Sequence, residues 1–102
     1  MRKANIYFNG IIAGILEETS PDQYRFTYSP EYNGEPISLT MPIKKTVYEF
    51  NQFPIVFEGL LPEGILLEAL LRKYKLNKND YFGQLLVTGK DLVGAITVEK
   101  IK

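Results

Sequence analysis

Apolar and polar positions alternate along the first part of the chain and give way to a helical rhythm further on. Lys3–Phe8 and Ile11–Leu16 are rich in β formers, and between them lies Asn9-Gly10, which accepts the positive φ of a tight hairpin. Gly14 inside the second run predicts a bulge or a close backbone approach. Glu17–Asp22 reads as a polar turn. Gln23–Tyr28 alternates cleanly, with Tyr24, Phe26 and Tyr28 on one face and Gln23, Arg25 and Thr27 on the other. One sheet face is therefore expected to be aromatic and buried. Ser29–Pro36 is broken by Pro30, Asn33-Gly34 and Pro36 and reads as loop. Ile37–Met41 alternates again and predicts a strand ended by Pro42, with Ile37, Leu39 and Met41 on one side. Ile43–Gln52 fits either a short strand or a loop that packs Val47, Tyr48 and Phe50 on the sheet.

From Phe53 the pattern changes. Pro62-Glu63 suits a helix start: proline's φ is already helical, and a carboxylate there meets the positive end of the dipole. Leu66, Leu67, Leu70, Leu71 and Tyr74 recur at helical spacing as the expected buried stripe, while Ile65, Glu68, Ala69 and Arg72 face outward. Ile65, beside the apolar Leu60-Leu61-Pro62 turn, reads either as part of a docking surface or as ordinary exposed apolar surface. A second helix is expected with Asn77 as N-cap, Tyr81, Phe82, Leu85 and Leu86 as its apolar face, and Gly89 as its stop. Leu92–Ile101 closes the chain as a strand. The order predicts a single α+β domain over 1–102. Its sheet is mostly antiparallel, with room to curl toward a barrel, and two helices (about 62–75 and 78–88) precede the last strand.

Composition narrows the chemistry. The chain has 102 residues, 45% hydrophobic and 24% charged, the balance of one globular domain. It has no cysteine and no histidine, which removes thiolate sites and the usual neutral-pH acid–base group. Twelve basic and twelve acidic residues cancel, so there is no general attraction to nucleic acid or anionic lipid. No apolar run approaches a membrane span and the N-terminus does not read as a signal peptide, so a cytoplasmic protein is expected. Thr88-Gly89-Lys90 follows a helix instead of a strand and reads as a helix stop, not a phosphate loop. Glu58, Glu63 and Glu68 have no partner base; helix-start electrostatics account for Glu63 and an i,i+4 pair with Arg72 for Glu68. Lys73, Lys75, Lys78 and Tyr81 come nearest to a nucleic-acid surface, but acidic residues lie among them. The residues favour a binding module over an enzyme, with no catalytic, cofactor-binding or metal-ligating set.

Phe57-Glu58-Gly59-Leu60-Leu61-Pro62-Glu63-Gly64 resembles the F-x-x-L-L-P-E-G signature of the N-terminal subdomain of HipA-like serine/threonine kinases, toxins of bacterial toxin–antitoxin systems. Phe26-Thr27-Tyr28 with Tyr32, and Pro36-Ile37-Ser38-Leu39-Thr40-Met41-Pro42, are similar to further stretches of that subdomain. So are Asp80-Tyr81-Phe82, Leu85-Leu86 and Gly89–Ala95, in which Gly89 and Gly94 would be backbone requirements. The family's ATP-binding loop and catalytic and metal-binding aspartates lie beyond this subdomain, and the chain stops before them. The charged ending Val98–Lys102 suggests a complete small protein. The resemblance then implies a HipS-like antitoxin that binds and inhibits a HipA-like kinase (HipT-like), with a HipB-like DNA-binding protein reached through the kinase. A module that bridges kinase and repressor without inhibition, a fragment of a longer HipA-like kinase, and a small nucleic-acid binder are the alternatives. The expected partner-binding residues are Phe57, Glu58, Leu60, Leu61, Pro62, Glu63, Ile65 and Glu68, an apolar knob flanked by carboxylates. Leu60 and Leu61 fit either the knob or the domain's own core.

Overall fold

The computed structural model describes residues 1–92 and 94–101; the expectations that fall on Val93 and Lys102 lie outside the described residues. Five strands form one open antiparallel sheet: β1 (Lys3–Phe8), β2 (Ile11–Ser20), β3 (Gln23–Tyr28), β4 (Val47–Phe50) and β5 (Ile96–Ile101). Their order across the sheet is β4-β3-β2-β1-β5, so the last strand returns to pair with the first. Three helices precede it: α1 (Ile55–Glu58), α2 (Gly64–Tyr74) and α3 (Tyr81–Thr88).

The hairpin at Asn9-Gly10 forms as its chemistry dictates, with positive φ at both residues. A register shift opposite Ile6/Tyr7, where Ala13 is the extra residue between Ile12 and Gly14, is the expected bulge. β2 runs on to Ser20 instead of ending at Leu16, because Glu17 and Glu18 find cross-strand partners in Arg25 and Tyr24. The turn shrinks to Pro21-Asp22.

Tyr24, Phe26 and Tyr28 are buried, as the alternation of β3 requires. Phe26 meets Tyr28 edge-on at 4.9 Å and Phe57 of α1 at 6.2 Å, while Tyr24 meets Phe53 at 5.3 Å and Phe82 of α3 at 6.0 Å. Ala4, Ile6, Leu16, Ile96 and Val98 complete the sheet side of the core, and Leu85 joins from α3. Such aromatic pairs contribute about 0.5–1.5 kcal/mol each beyond area burial.

Ile37–Met41 is not a strand. The chain turns there, with the Met41 N–H donating to the Ser38 carbonyl at 3.0 Å, so Ile37 and Met41 go inward and Leu39 is wholly exposed. The backbone groups that a ladder would have satisfied are taken instead by tyrosine hydroxyls. Tyr28 Oη accepts from the Ile37 N–H at 3.1 Å and donates to the Met41 carbonyl. Tyr32 donates to the Glu35 carbonyl and Tyr48 to the Pro42 carbonyl. Three buried or half-buried tyrosines thus pin the whole irregular crossing to the sheet.

The helix ends also differ from expectation in instructive ways. α2 begins at Gly64, whose φ of +62° only glycine adopts without strain, so Pro62 and Glu63 stay outside the helix. The cap of α3 is Asp80, which accepts from the Gly83 N–H at 3.0 Å; Asn77 closes a smaller turn with the Asn79 N–H at 2.8 Å. Gly89 is right-handed and leads into a short 3-10 turn, and a Cβ on it would lie 2.8 Å from Val98 Cβ. Close packing on β5, not a left-handed helix stop, is what demands glycine there. β5 starts at Ile96, four residues after the Leu92 of the expected boundary.

Arg2 ties the two ends of this arrangement together. Its guanidinium donates to Glu18 at 3.0 and 3.1 Å and to the cap carboxylate of Asp80 at 3.0 Å, and it lies 5.4 Å over the Phe82 ring. The hydrogen bonds from Arg2 hold the Glu18 carboxyl below its ordinary value of 4.5, against the opposing effect of its burial.

Two outcomes are expected from these contacts. Tyr28→Phe leaves the buried Ile37 N–H without an acceptor and should cost about 1–3 kcal/mol in urea unfolding. Arg2→Met should cost about 1–2 kcal/mol near pH 7, given the partial exposure of the network. Because Glu18 is depressed in the folded state, its contribution is present above pH 4.5 and fades as the pH falls through its lower folded value. Unfolding midpoints measured down the acid limb should therefore fall less steeply in Arg2→Met than in the wild type.

A candidate docking surface

α1 ends at Glu58, and Gly59–Glu63 carries the chain across to Gly64, where α2 starts. The corner is built on Phe57. That residue is completely buried and packs on Phe26, so its place among the partner-binding residues is corrected: it is the anchor beneath the corner. Leu60 and Leu61 resolve between the two readings left open for them. Both pack against the core and both stay half-exposed, as does Pro62. The N–H groups of Leu60 and Leu61 donate to the carbonyls of Phe57 and Glu58 at 3.1 Å, which fixes the turn independently of any partner. Glu58, Glu63, Ile65 and Glu68 are exposed.

α2 itself is the departure from the expected pattern. None of its residues is buried. Leu67, Leu70 and Leu71 are half-covered, whereas Leu66 and Tyr74, expected in the buried stripe, are exposed. Ile65 is 83% exposed and Leu66 72%, so two adjacent large apolar residues of the first turn stand in solvent. The apolar stripe is thus only partly used by the domain's own packing. Among the described residues no ion pair joins Glu68 to Arg72. Its far end is closed by Lys75 in a left-handed conformation, with the Leu76 N–H donating to the Leu71 carbonyl at 3.0 Å.

Leu66 was expected in the buried stripe because it borders the face of Leu67, Leu70 and Leu71; those three are half-covered, while the stripe's edge at Leu66 and its far end at Tyr74 stay in solvent. Ile55, 74% exposed at the start of α1, was missed for want of any periodicity in four residues. It borders a cleft of about 450 Å³ whose walls include Met41, Phe50, Phe53 and Pro54, with Glu49 as a titratable group at its edge. Among the described residues no cluster of three or more acidic side chains could hold a metal ion. No described helix is long and apolar enough to cross a membrane.

Comparison with known proteins agrees with the shape. An uncharacterized protein of Haemophilus influenzae (strain ATCC 51907 / DSM 11121 / KW20 / Rd) is 28% identical over 102 residues, covering 100% of this chain and 95% of the relative. A solved structure described as the N-terminal domain of HipA toxin superposes with a TM-score of 0.80 at 27% identity, covering 100% of this chain and 94% of that one. The family model of the HipA N-terminal domain matches residues 4–99, and the chain belongs to that family.

Proposed function

We propose that the domain is a non-enzymatic antitoxin that binds a HipA-like serine/threonine kinase through the α1–α2 corner and the first turn of α2, and restrains it stoichiometrically. The observation that carries this reading is the pair Ile65–Leu66, held in solvent on a helix that buries none of its residues, in a domain of the HipA N-terminal family. Leu60, Leu61 and Pro62 extend the apolar surface, and Glu58, Glu63 and Glu68 surround it with negative charge suited to orienting the module on a basic cleft rim. Inhibition would follow from filling that cleft or from holding the kinase in one conformation. The place of action that goes with this reading is the cytoplasm, and a HipB-like DNA-binding protein would be reached only through the kinase.

Covering Ile65 contributes roughly 1.5–3 kcal/mol, or about ten- to a hundredfold in dissociation constant. Ile65→Asp should therefore leave the thermal midpoint of the isolated domain nearly unchanged while weakening binding to its HipA-like kinase partner, identified by pull-down from the source cells, by at least tenfold. The wild-type domain should co-purify with that kinase, lower its phosphorylation rate and rescue growth on co-expression. An undiminished phosphorylation rate at saturating domain would refute the antitoxin role.

A further inference from the structure

The sheet face turned away from the aromatic core carries a row of four alternating charges. Lys3, Glu17, Arg25 and Glu49 lie directly opposite one another across β1, β2, β3 and β4. Consecutive members are joined at 3.9, 3.4 and 3.1 Å. The next row on the same face is Asn5, Ile15, Thr27 and Val47, followed by Tyr7 opposite Ile12. Ile12, Ile15 and Val47 are all exposed, so no element of the domain covers this face over them. An antiparallel sheet with one solvated face ordinarily carries polar residues there. Here the central strand sets isoleucines beside the charges.

Across the sheet the charges read plus, minus, plus, minus, and the reversed row reads minus, plus, minus, plus. The row is therefore its own electrostatic complement under a two-fold rotation about an axis parallel to the strands and midway between β2 and β3. We propose that this face is a homodimer interface, onto which a second copy of the chain lays its own sheet about that axis. Lys3 then faces the second copy's Glu49, and Glu17 faces its Arg25. The same rotation sets Ile15 over the second copy's Thr27, and Val47 over its Asn5. Sheets stacked face to face lie about 10 Å apart, a gap that the isoleucine and valine side chains fill from both sides. The charged row sets the register and excludes other orientations, while burial of Ile15 and Val47 supplies the driving force. The contact is isologous, so it closes on itself and does not propagate. It uses none of the residues of the α1–α2 corner.

The test is sedimentation velocity on the full chain over a range of concentrations, followed by mixing with a charge-reversed variant. Lys3→Glu/Glu17→Lys/Arg25→Glu/Glu49→Lys keeps the alternation within the sheet and keeps the row self-complementary. The expected result is concentration-dependent dimerisation of the wild type and of the variant separately, weakened in high salt. Mixed dimers of a tagged wild type with the variant should be absent, since every facing pair would then be of like charge. Ile15→Asp should raise the dimer dissociation constant at least tenfold, and Ile65→Asp should leave it unchanged. A wild type that stays monomeric at every concentration, or mixed dimers that form as readily as pure ones, would overturn the proposal.

Discussion

Tyr24, Phe26 and Tyr28 stand side by side on one face of β3, and each is touched by a different part of the chain. Tyr24 receives Phe53 and Phe82, Phe26 receives Phe57, and Tyr28 receives Tyr32 and Tyr48. The stripe therefore orders the crossing segment, α1 and α3 at once. It does so by two kinds of force. The rings bury a large apolar area in edge-on, tilted and stacked pairs, and the hydroxyl of Tyr28 satisfies backbone groups that have no strand partner. Loss of the ring would cost packing, and loss of the hydroxyl alone would orphan a buried amide. That double duty explains how a segment with no regular structure can lie against a core without leaving polar groups unpaired. Among the described residues no buried side-chain nitrogen or oxygen lacks a partner.

Fixing the aromatic side so firmly leaves the periphery of the domain open to other uses. α2 has 11 residues, a length at which an isolated helix is marginal in water. It is held by the corner above Phe57, by its left-handed end at Lys75 and by packing on α3, with its own apolar face only half-covered. Under the proposed docking role, a helix whose backbone is set before binding keeps small the ordering cost that weakens flexible recognition segments. Arg2 serves the same end from the opposite side. By holding Glu18 of β2 and the Asp80 cap of α3 together, it keeps α3 at a set position on the sheet, and α3 is the element against which α2 leans.

The chain belongs to the HipA N-terminal domain family. The domain's glycines serve geometry: Gly64 admits the left-handed step into α2, and Gly89 lets the chain pass close to β5. Its carboxylates serve caps, cross-strand pairs and the rim of the corner. The proposed antitoxin role and the proposed self-association use opposite kinds of surface. One is a convex apolar corner whose complement must be a foreign cleft, and the other is a flat charged face that is its own complement. A molecule could engage both at once, which would place two kinases on one dimer.

Local information settled a good part of this protein. The Asn9-Gly10 hairpin, the bulge beside Gly14, the aromatic face of β3, the α+β order and the exposure of Ile65 all follow from backbone preferences or periodicities that act within a few residues. Tertiary structure decided the rest, wherever a local pattern was compatible with two outcomes. Ile37–Met41 alternates like a strand, but the Tyr28 hydroxyl brought from β3 takes the Ile37 N–H and the Met41 carbonyl, and a local turn takes the Met41 N–H. Glu17–Ser20 looks like a turn, yet cross-strand partners drew it into β2. The leucines of α2 fit a buried stripe, but the core is filled by Phe57, Phe82 and Leu85, and the stripe is only half-covered. Periodicity states which residues can share a face; only the assembled core determines whether anything is left for that face to cover.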